Sequence, residues 1–600
     1  MMACLVMMGS ALNAQTTTFK YTATEKIERF GEIQYFVGAT AVQSHKFNKE
    51  TGEGTVVYEG TVTELGNNCL QWQRVLTGIV IPEGVTRIGF QAFWQDDNLT
   101  NLTLPKSLKE IGVPSGQAFG GCTGLANGQF IIDDIAWWCS LTINGGSNPL
   151  QYAKKFYSAP DVEVTDLVIP EGVTSICDNA FCYCEGIKTV SLPACLTSIG
   201  SDAFGYCKAL ETVDIPVGAE IGYGAFQHCE RLTTVTIPEG VTKIGGSAFC
   251  YSGLTELTLP STITSMSQSF YYCNDLATLT LTDGITSLGD SFYGCPKLTS
   301  VNIPGSVKTV SSGDFRGCSG LKTVTLNEGT ENVGFGSCDL LATINFPSTI
   351  KEIYFDKCPC LESVTLQEGV TKISSFGGCT GLKQINIPST VTYIGGFFAC
   401  DNLEKVIIAD VASWCAASHY DANYYGPTKK AGKLYLGTVD NYEEITNLVI
   451  PEGVTTIKAC SFYGLPNITS VIIPSSVTEW GYQAFYGCSG ITDVYCYANP
   501  LTLKWTESEY NFKDEKGTWM HVVNTEAWTT QFPNANATFV GGLLGDANGD
   551  LVFDLSDIME TINYIIGRPS HNFKVTAADV DGNGVVDIAD VAVMIDKIKN

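Results

Sequence analysis

The sequence predicts a β-rich solenoid made of stacked repeats, followed by a small helical module. A phrase of the form Ala-Phe-x-x-Cys, Leu-x-x-Val-x-Ile-Pro, Val-Thr-x-Ile-Gly recurs along most of the 600 residues. Between Phe181 and Phe397 its aromatic anchors follow one another every 20 to 23 residues. A fixed period of this length indicates that each unit buries its apolar face only by stacking on its neighbours.

One clean copy of the phrase, residues 225–245, predicts the structure of a unit. Val235 and Ile237 alternate with two threonines, which is the pattern of a half-buried strand. Pro238 ends this strand, since proline cannot donate to a β-ladder. Stacked units then form a parallel sheet along one side, and we expect about 16 units of 20–23 residues within residues 64–498.

The composition narrows the classes of partner. The chain carries 35 basic and 62 acidic side chains, a net charge of −27. Only 16% of its residues are charged and 44% are hydrophobic, so it is expected to fold. Nucleic acid and anionic membranes are disfavoured, because phosphate groups are bound by Lys and Arg. No internal apolar run reaches 18 residues, so no membrane-spanning segment is predicted.

The two ends of the repeat region differ from the repeats. Residues 1–14 form an apolar stretch ending in small residues, which predicts a signal peptide, cleavage after Ala14 and export. No basic residue precedes that stretch, so the true start is expected upstream; the alternative is an apolar N-terminal strand. Residues 15–63 and 499–541 lack the phrase and are expected to cap the solenoid, whose apolar ends would otherwise meet water.

The recurring phrases Ile-Pro-Glu-Gly-Val-Thr-x-Ile and Ala-Phe-x-x-Cys resemble the BspA-like bacterial subclass of leucine-rich repeats. The resemblance covers residues 64–498. It implies a leucine-rich-repeat solenoid and a secreted or surface-associated bacterial protein.

Two inserts interrupt the period, near residues 131–166 and 408–447. They resemble each other, with Ile-Ile-Asp-Asp-Ile-Ala-Trp-Trp-Cys in one and Ile-Ile-Ala-Asp-Val-Ala-Ser-Trp-Cys in the other. Insertions in repeat proteins often lie on one face, which is sometimes the binding face. Structural decoration is the alternative.

The chain has 23 cysteines, which in an exported protein suggests disulfides. Their positions favour another interpretation, a column of small, apolar, weakly hydrogen-bonding side chains inside the coil. Disulfides between neighbouring turns remain the alternative. Twelve cysteines share one phase of the repeat: Cys122, Cys184, Cys207, Cys229, Cys273, Cys295, Cys318, Cys338, Cys358, Cys379, Cys400 and Cys488.

Two loops near the C-terminus have the oxygen-ligand spacing of an EF-hand. Side-chain oxygens stand at loop positions 1, 3, 5, 9 and 12, and position 7 would offer a backbone carbonyl. Each loop gathers four carboxylates that repel one another without a cation, so we expect two Ca²⁺ ions. The candidate ligands are Asp546, Asn548, Asp550, Val552, Asp554 and Asp557, and Asp579, Asp581, Asn583, Val585, Asp587 and Asp590.

An apolar-periodic helix follows each loop, and this doubled loop–helix pattern over residues 542–600 resembles a type I dockerin. The resemblance implies a small α-helical, EF-hand-like domain that binds calcium and docks to a cohesin module of another protein. Docking residues would be Leu555 and Ser556 with Ile588 and Ala589, which are more apolar than the Ser/Thr pairs familiar in the family. A purely intramolecular stabilising role is the alternative.

The first loop departs from the EF-hand pattern at position 6. Leu551 stands where the sharp turn calls for glycine, whereas the second loop has Gly584. A left-handed leucine costs about 1–2 kcal/mol, so we expect weaker calcium binding at the first loop.

The outward side chain of the predicted strands is often Thr or Asn, which suggests a neutral surface for protein or glycan ligands. β-Propensity and ladders of side-chain hydrogen bonds are the alternative explanation. Tyrosines near the Phe-x-x-Cys turns, such as Tyr183, Tyr206 and Tyr251, form a second possible patch, or simply stack between turns. The candidate surface consists of Thr236, Thr258, Thr280, Asn302, Thr325, Asn345, Thr365 and Asn386.

Catalytic motifs are absent from the sequence: there is no His-Glu-x-x-His, Gly-x-Ser-x-Gly or phosphate loop. The sequence therefore predicts an exported, non-catalytic binding or adhesion protein with a calcium-dependent docking module. The alternative function is an accessory part of a polysaccharide-degrading, cellulosome-like assembly, and a pure structural spacer is a third possibility.

Overall fold

The computed structural model describes most of the repeat region and part of the C-terminal module. The described residues are 15–114, 116–419, 426–481, 483–491, 493–496, 504–505, 512–513, 519–520, 555–568, 578, 580 and 585–599. The expected signal peptide and most of the expected C-terminal cap lie outside them. Two compact units emerge, Met1–Val307 with Gly313–Ser319, and Lys308–Ser312 with Gly320–Asn600.

Both units consist of parallel β-solenoid turns, about 18 in all. The β-solenoid fold is confirmed, with slightly more turns than the 16 expected units. In a typical turn, the Leu-x-x-Val-x-Ile-Pro phrase forms one strand and Val-Thr-x-Ile forms a second, shorter strand. We call the two resulting sets the first and the second strand row.

In the first unit, the first strand row starts with antiparallel strands from residues 15–63. Thr16–Ala23 pairs antiparallel with Glu53–Glu59 and with Leu76–Val80, which pairs parallel with Asn101–Thr103. Later strands pair only in parallel. The strands of this row are Ala41–Asn48, Glu53–Glu59, Thr16–Ala23, Leu76–Val80, Asn101–Thr103, Asp166–Val168, Thr189–Ser191, Thr212–Asp214, Thr234–Thr236, Glu256–Leu259, Thr278–Leu281 and Ser300–Ile303.

The second strand row of this unit is made of two-residue strands. They are Phe36–Val37, Glu64–Leu65, Arg87–Ile88, Glu110–Ile111, Thr142–Ile143, Ser175–Ile176, Ser198–Ile199 and Glu220–Ile221. The unit also contains the hairpin Tyr157–Ala159 and Val162–Glu163, the 3₁₀ helices Glu28–Gly31, Ile33–Tyr35, Thr123–Asn127 and Gly145–Ser147, and the α-helices Ile135–Cys139 and Leu150–Ala153.

The second unit also contains both strand rows. Several strands of its second strand row are longer than those of the first unit. The first row comprises Thr323–Leu326, Thr343–Asn345, Ser363–Val364, Gln384–Ile387, Lys405–Ile408, Leu434–Thr438, Asn441–Glu444, Asn447–Val449, Ser470–Ile473 and Asp493–Cys496. The second comprises Thr309–Val310, Asn332–Gly336, Glu352–Asp356, Lys372–Gly377, Tyr393–Gly396, Ser418–His419, Thr456–Ile457, Glu479–Trp480 and Lys504–Trp505. The remaining elements are the hairpin Phe512–Lys513 and Trp519–Met520 and the helices Val411–Ala416, Pro427–Ala431, Leu555–Ile565 and Ile588–Lys599.

The longer strands explain why the period shortens to 20 or 21 residues between Phe315 and Phe397. Phe335 and Phe355 lie inside strands, whereas Phe226 follows its strand by several residues. The shorter units omit the residues that form the turn between the strand and its phenylalanine.

The anchor phenylalanines form the centre of the coil. Phe204, Phe226, Phe249 and Phe270 are fully buried. Their rings stack 5.3 Å apart from one turn to the next, within 7° of parallel. Burying such a ring is worth roughly 1.5–3 kcal/mol, so this column is a major source of stability.

The glutamate of the recurring Glu-Gly corner connects one turn to the next. The Glu239 carboxylate accepts hydrogen bonds from the backbone N–H and the hydroxyl of Ser261, both at 3.0 Å. Glu368 makes the same pair of contacts with Ser389. This repeated contact holds the corners of adjacent turns together.

The two inserts have the same architecture. Asp134 and Asp410 cap the helices Ile135–Cys139 and Val411–Ala416. The buried indoles of Trp138 and Trp414 donate to the carbonyls of Ala180 at 2.7 Å and Ser461 at 2.8 Å, both in the following turn. These contacts favour a structural role for the inserts.

The C-terminal helices Leu555–Ile565 and Ile588–Lys599 pack against each other. Ile558, Val591 and Met594 lie in their shared core, together with Ala578 and Val580. Within the described residues, no helix combines the length and the apolar character needed to cross a membrane.

Candidate functional site

The C-terminal helical module contains part of the predicted calcium-ligand set. Asp557, Val585, Asp587 and Asp590 lie among the described residues. The other eight candidates lie outside them: Asp546, Asn548, Asp550, Val552, Asp554, Asp579, Asp581 and Asn583. Within the described part of the chain, no three His, Cys, Asp or Glu residues are grouped to hold a metal.

Asp557 and Asp590 occupy position 12 of the two loops, and both are fully buried in the first turn of a helix. The Asp590 carboxylate accepts the backbone N–H of Val580 at 2.7 Å and of Asp587 at 2.9 Å. Burial of a carboxylate is costly unless hydrogen bonds or a cation compensate its charge. An all-oxygen ligand set ending in such a carboxylate fits a hard cation such as Ca²⁺.

The predicted docking residues lie at the surface. Leu555 and Ile588, at the same position of the two repeats, are 68% and 70% exposed, and Ser556 and Ala589 are also exposed. Met559, one helical turn after Leu555, is 56% exposed. Leu555, Ile588 and Met559 are all large apolar side chains exposed to solvent.

The two helices carry further exposed apolar side chains: Ile566 is 58% exposed, and Ile565 and Ile595 are also exposed. These helices carry apolar residues on two faces, and a single sequence pattern cannot tell the buried face from the exposed one.

The candidate surface of the first strand row is exposed as predicted at Thr236, Thr258, Thr280, Asn302, Thr325, Asn345 and Thr365. Asn386 differs, because its side-chain amide bonds both the N–H and the carbonyl of Leu366, each at 2.7 Å. Hydrogen bonds between turns are made by threonines at strand entrances, such as Thr264 donating to the Thr242 carbonyl at 3.1 Å.

The tyrosines near the Phe-x-x-Cys turns form a stacked column, which we call the aromatic column: Tyr183, Tyr206, His228, Tyr251 and Tyr272. Successive ring centroids lie 4.6, 4.5, 4.6 and 5.0 Å apart. The ring faces cover one another, and the Lys154 ammonium lies 4.9 Å from the Tyr183 ring centre. Stacking between turns therefore explains the positions of these aromatic rings, and the ring faces are not open to a ligand.

The twelve cysteines of common phase are all buried, and none of them forms a disulfide. In many turns the thiol donates to the carbonyl of the previous anchor phenylalanine, as from Cys229 to Phe204 at 3.2 Å and from Cys400 to Phe376 at 2.9 Å. Burial raises the pKa of the Cys400 thiol to about 12, which keeps it protonated as a donor. This geometry supports the cysteine column over disulfides.

Comparisons with known proteins agree with this description. Residues 12–132, 152–269, 254–354, 331–421 and 438–509 match the BspA type leucine rich repeat region, in six copies. Residues 544–599 match the dockerin type I domain. No curated protein matches the chain significantly.

Solved structures of bacterial repeat proteins are similar to this chain. A leucine-rich repeat protein from Bacteroides ovatus is 22% identical, with 56% of this chain and 84% of that chain covered and a TM-score of 0.36. A leucine rich cell surface protein from Faecalibacterium prausnitzii is 25% identical, with 63% and 98% covered and a TM-score of 0.35. From the repeat matches, which span most of its length, the chain belongs to the BspA-type leucine-rich repeat family, and it carries a C-terminal dockerin type I domain.

Proposed function

We propose that this chain is an exported docking protein of the bacterial surface. Its dockerin domain binds a cohesin-like module of another protein in a calcium-dependent manner, and its repeats bind a protein or glycan ligand. Leucine-rich repeats and dockerins are binding or scaffolding modules, and no enzymatic domain is found in the chain. We therefore assign it no catalytic activity.

The docking role rests mainly on the exposed pair Leu555 and Ile588. Each lies two residues before a fully buried aspartate, Asp557 or Asp590, at the same point of its repeat. Large apolar side chains held in solvent by a rigid frame are typical of interaction sites. A cohesin-like module with an apolar contact surface would cover them.

Dockerin type I domains bind calcium. We assign two ions to the two loops, each held by the six candidate ligands of that loop. Bound calcium would neutralise the clustered carboxylates. The chain's own buried Asp590 then fixes the start of the helix Ile588–Lys599 through its contacts with the N–H groups of Val580 and Asp587.

A binding experiment with the full chain tests this function. An immobilised type I cohesin module is offered the protein in calcium and in EDTA, and we expect binding in calcium only. Leu555→Asp combined with Ile588→Asp should weaken binding by about tenfold or more, because charges would then enter an apolar contact. Val168→Asp is the matched control, since Val168 is a 62% exposed valine of the repeats.

Unchanged binding of the double variant would contradict the assigned docking face. Absence of binding to a panel of cohesin modules would contradict the docking function and leave the intramolecular stabilising role.

A second candidate is an accessory role in a polysaccharide-degrading assembly. The exposed Thr and Asn side chains of the first strand row favour it, because hydroxyl and amide groups hydrogen-bond sugars. Retention of the protein on a plant or host polysaccharide, without release of sugars, would support this role over adhesion to a protein.

A further inference from the structure

A cavity lies on the first unit where the N-terminal strand Thr16–Ala23 joins the repeats. Its volume is about 400 Å³, within the range of ~300–1,000 Å³ typical of small-molecule sites. Side chains of four adjacent strands line it, among them Lys20, Glu53, Val80 and Asn101. Its exposed side chains belong to the same outward face as Thr103 of the first strand row.

The strand register places three of the lining residues side by side. Thr22 pairs with Gly78, and Gly78 pairs with Asn101, so that glycine lies between two outward side chains. A Cβ atom on residue 78 would lie 2.6 Å from the Thr22 hydroxyl oxygen and 3.2 Å from the Asn101 Cβ. Only glycine fits between these two side chains, which therefore approach each other closely in the lining of the cavity.

The lining groups define the chemistry of a ligand. Lys20 and Glu53 bring one charge of each sign, and Thr22 and Asn101 bring a hydroxyl and an amide. Val80, which is 45% exposed, supplies an apolar surface. The charges cancel within the cavity, so neither an anion nor a cation is favoured, and a largely apolar ligand would leave polar groups without partners.

From this geometry we infer that the cavity binds one or two residues of a neutral glycan. A sugar ring offers hydroxyls as donors and acceptors to Lys20, Glu53 and Asn101, and a C–H face to Val80. An extended peptide is less suited, because Lys20 pairs on both sides, with Thr55 and with Val80, and so offers no free strand edge. This inference rests on the proposed ligand role of the repeats and assigns it a location and a ligand class.

The test uses the full chain and three neutral probes, cellotetraose, maltotetraose and mannotetraose, in isothermal titration calorimetry. We expect at least one probe to bind, and we expect Lys20→Ala and Asn101→Ala each to weaken its affinity by about tenfold. Both side chains are exposed, so these variants are expected to fold. Glu256→Ala, an exposed side chain on another strand of the first row and away from the cavity, is the matched control.

The outcomes of this experiment distinguish the cavity assignment from the choice of a glycan as ligand. If sugars bind but the two cavity variants leave the affinity unchanged, or if Glu256→Ala weakens it equally, the cavity assignment is overturned while glycan binding by the repeats stands. If no probe binds at millimolar concentration, or if a neutral peptide binds at Lys20 and Asn101 in their place, the glycan inference is overturned. Cohesin binding, measured on the same samples, reports separately on the proposed docking function.

Discussion

Asp96 occupies the position that a cysteine takes in most turns, three residues after the anchor Phe93. It is fully buried, and its Oδ1 accepts the Gln73 N–H at 2.6 Å. Its Oδ2 has no hydrogen-bond partner among the described residues. Burial raises the pKa of Asp96 to about 9, and the charge of Asp97 adds to this rise. The side chain is therefore a neutral acid at pH 7 in the folded protein.

Replacing Asp96 should remove a pH dependence of stability. Above about pH 4 the unfolded chain loses this proton, whereas the folded protein keeps it up to the pKa of about 9. Stability therefore falls as pH rises through this window, by at most about 1.4 kcal/mol per pH unit. In Asp96→Asn we expect this fall in stability with rising pH to disappear. Hydrogen exchange of the amides of residues 93–99 at several pH values measures it.

Asp214→Asn is the control for this experiment, because Asp214 is exposed. An equal pH dependence in the wild-type protein and in Asp96→Asn would show that Asp96 titrates normally.

The cysteine column predicts free thiols throughout the repeats. We expect the denatured protein to gain the same mass on alkylation with and without prior reduction. Any inter-turn disulfide would hide two thiols from the reagent until it is reduced. A mass difference between the two samples would therefore favour the disulfide alternative.

At the scale of the element, the turn after each anchor phenylalanine requires a left-handed residue. Gly294 and Gly317 fill this place with φ of 72° and 77°, but Tyr206 and His228 also adopt it, at 62° and 56°. Such a backbone costs a non-glycine residue about 1 kcal/mol or more. Stacking in the aromatic column offsets that cost. Burial lowers the pKa of His228, which favours a neutral ring in the stack.

Two substitutions at Tyr206 separate stacking from backbone strain. Tyr206→Ala loses the contacts with Tyr183 and His228 and keeps the strain, so we expect a loss of about 1–3 kcal/mol in local stability. Tyr206→Gly loses the same contacts but removes the backbone strain, so its decrease in local stability should be about 1 kcal/mol smaller. Hydrogen exchange of the amides of residues 204–210 measures the local stability of both variants.

Tyr223→Ala is the matched control, since Tyr223 is exposed and lies outside the column. Equal protection in the alanine and glycine variants would contradict the strain argument.

The first calcium loop should respond to a glycine at position 6. Glycine suits the sharp turn at this position of an EF-hand loop, and a left-handed leucine costs about 1–2 kcal/mol, so we expect Leu551→Gly to raise calcium affinity at that loop by about tenfold. Calorimetry of the full chain should resolve a weak and a strong site, of which only the weak one changes. Equal affinities in the unmodified chain would contradict the premise.

At the scale of the whole molecule, the charge of −27 is distributed unequally. Eight of the acidic side chains belong to the two calcium loops: Asp546, Asp550, Asp554, Asp557, Asp579, Asp581, Asp587 and Asp590. On the repeats, many carboxylates pair with a lysine of the next turn, as Glu331 does with Lys351 at 2.7 Å. These ion pairs offset only part of the charge, since residues 1–541 carry 52 acidic and 31 basic side chains, whereas the clustered carboxylates of the loops depend on a cation.

Chelation should therefore affect the two parts of the chain differently. In EDTA we expect the amides of residues 588–599 to lose hydrogen-exchange protection, because the loop carboxylates then repel one another. The repeats should keep their protection, since phenylalanine burial and inter-turn hydrogen bonds stabilise them. Equal protection of residues 588–599 with and without calcium would contradict a calcium-dependent module.

The sequence by itself determined the repeat, its strands, the buried phenylalanine and cysteine columns and the loop–helix pairs, because each follows from spacing along a short stretch of chain. Only the tertiary structure decided which surfaces remain open. It showed that the tyrosines cover one another, that Asn386 bonds Leu366, and that Thr22, Gly78 and Asn101 line one cavity. These features depend on the register between strands distant in sequence, and a local pattern does not specify that register.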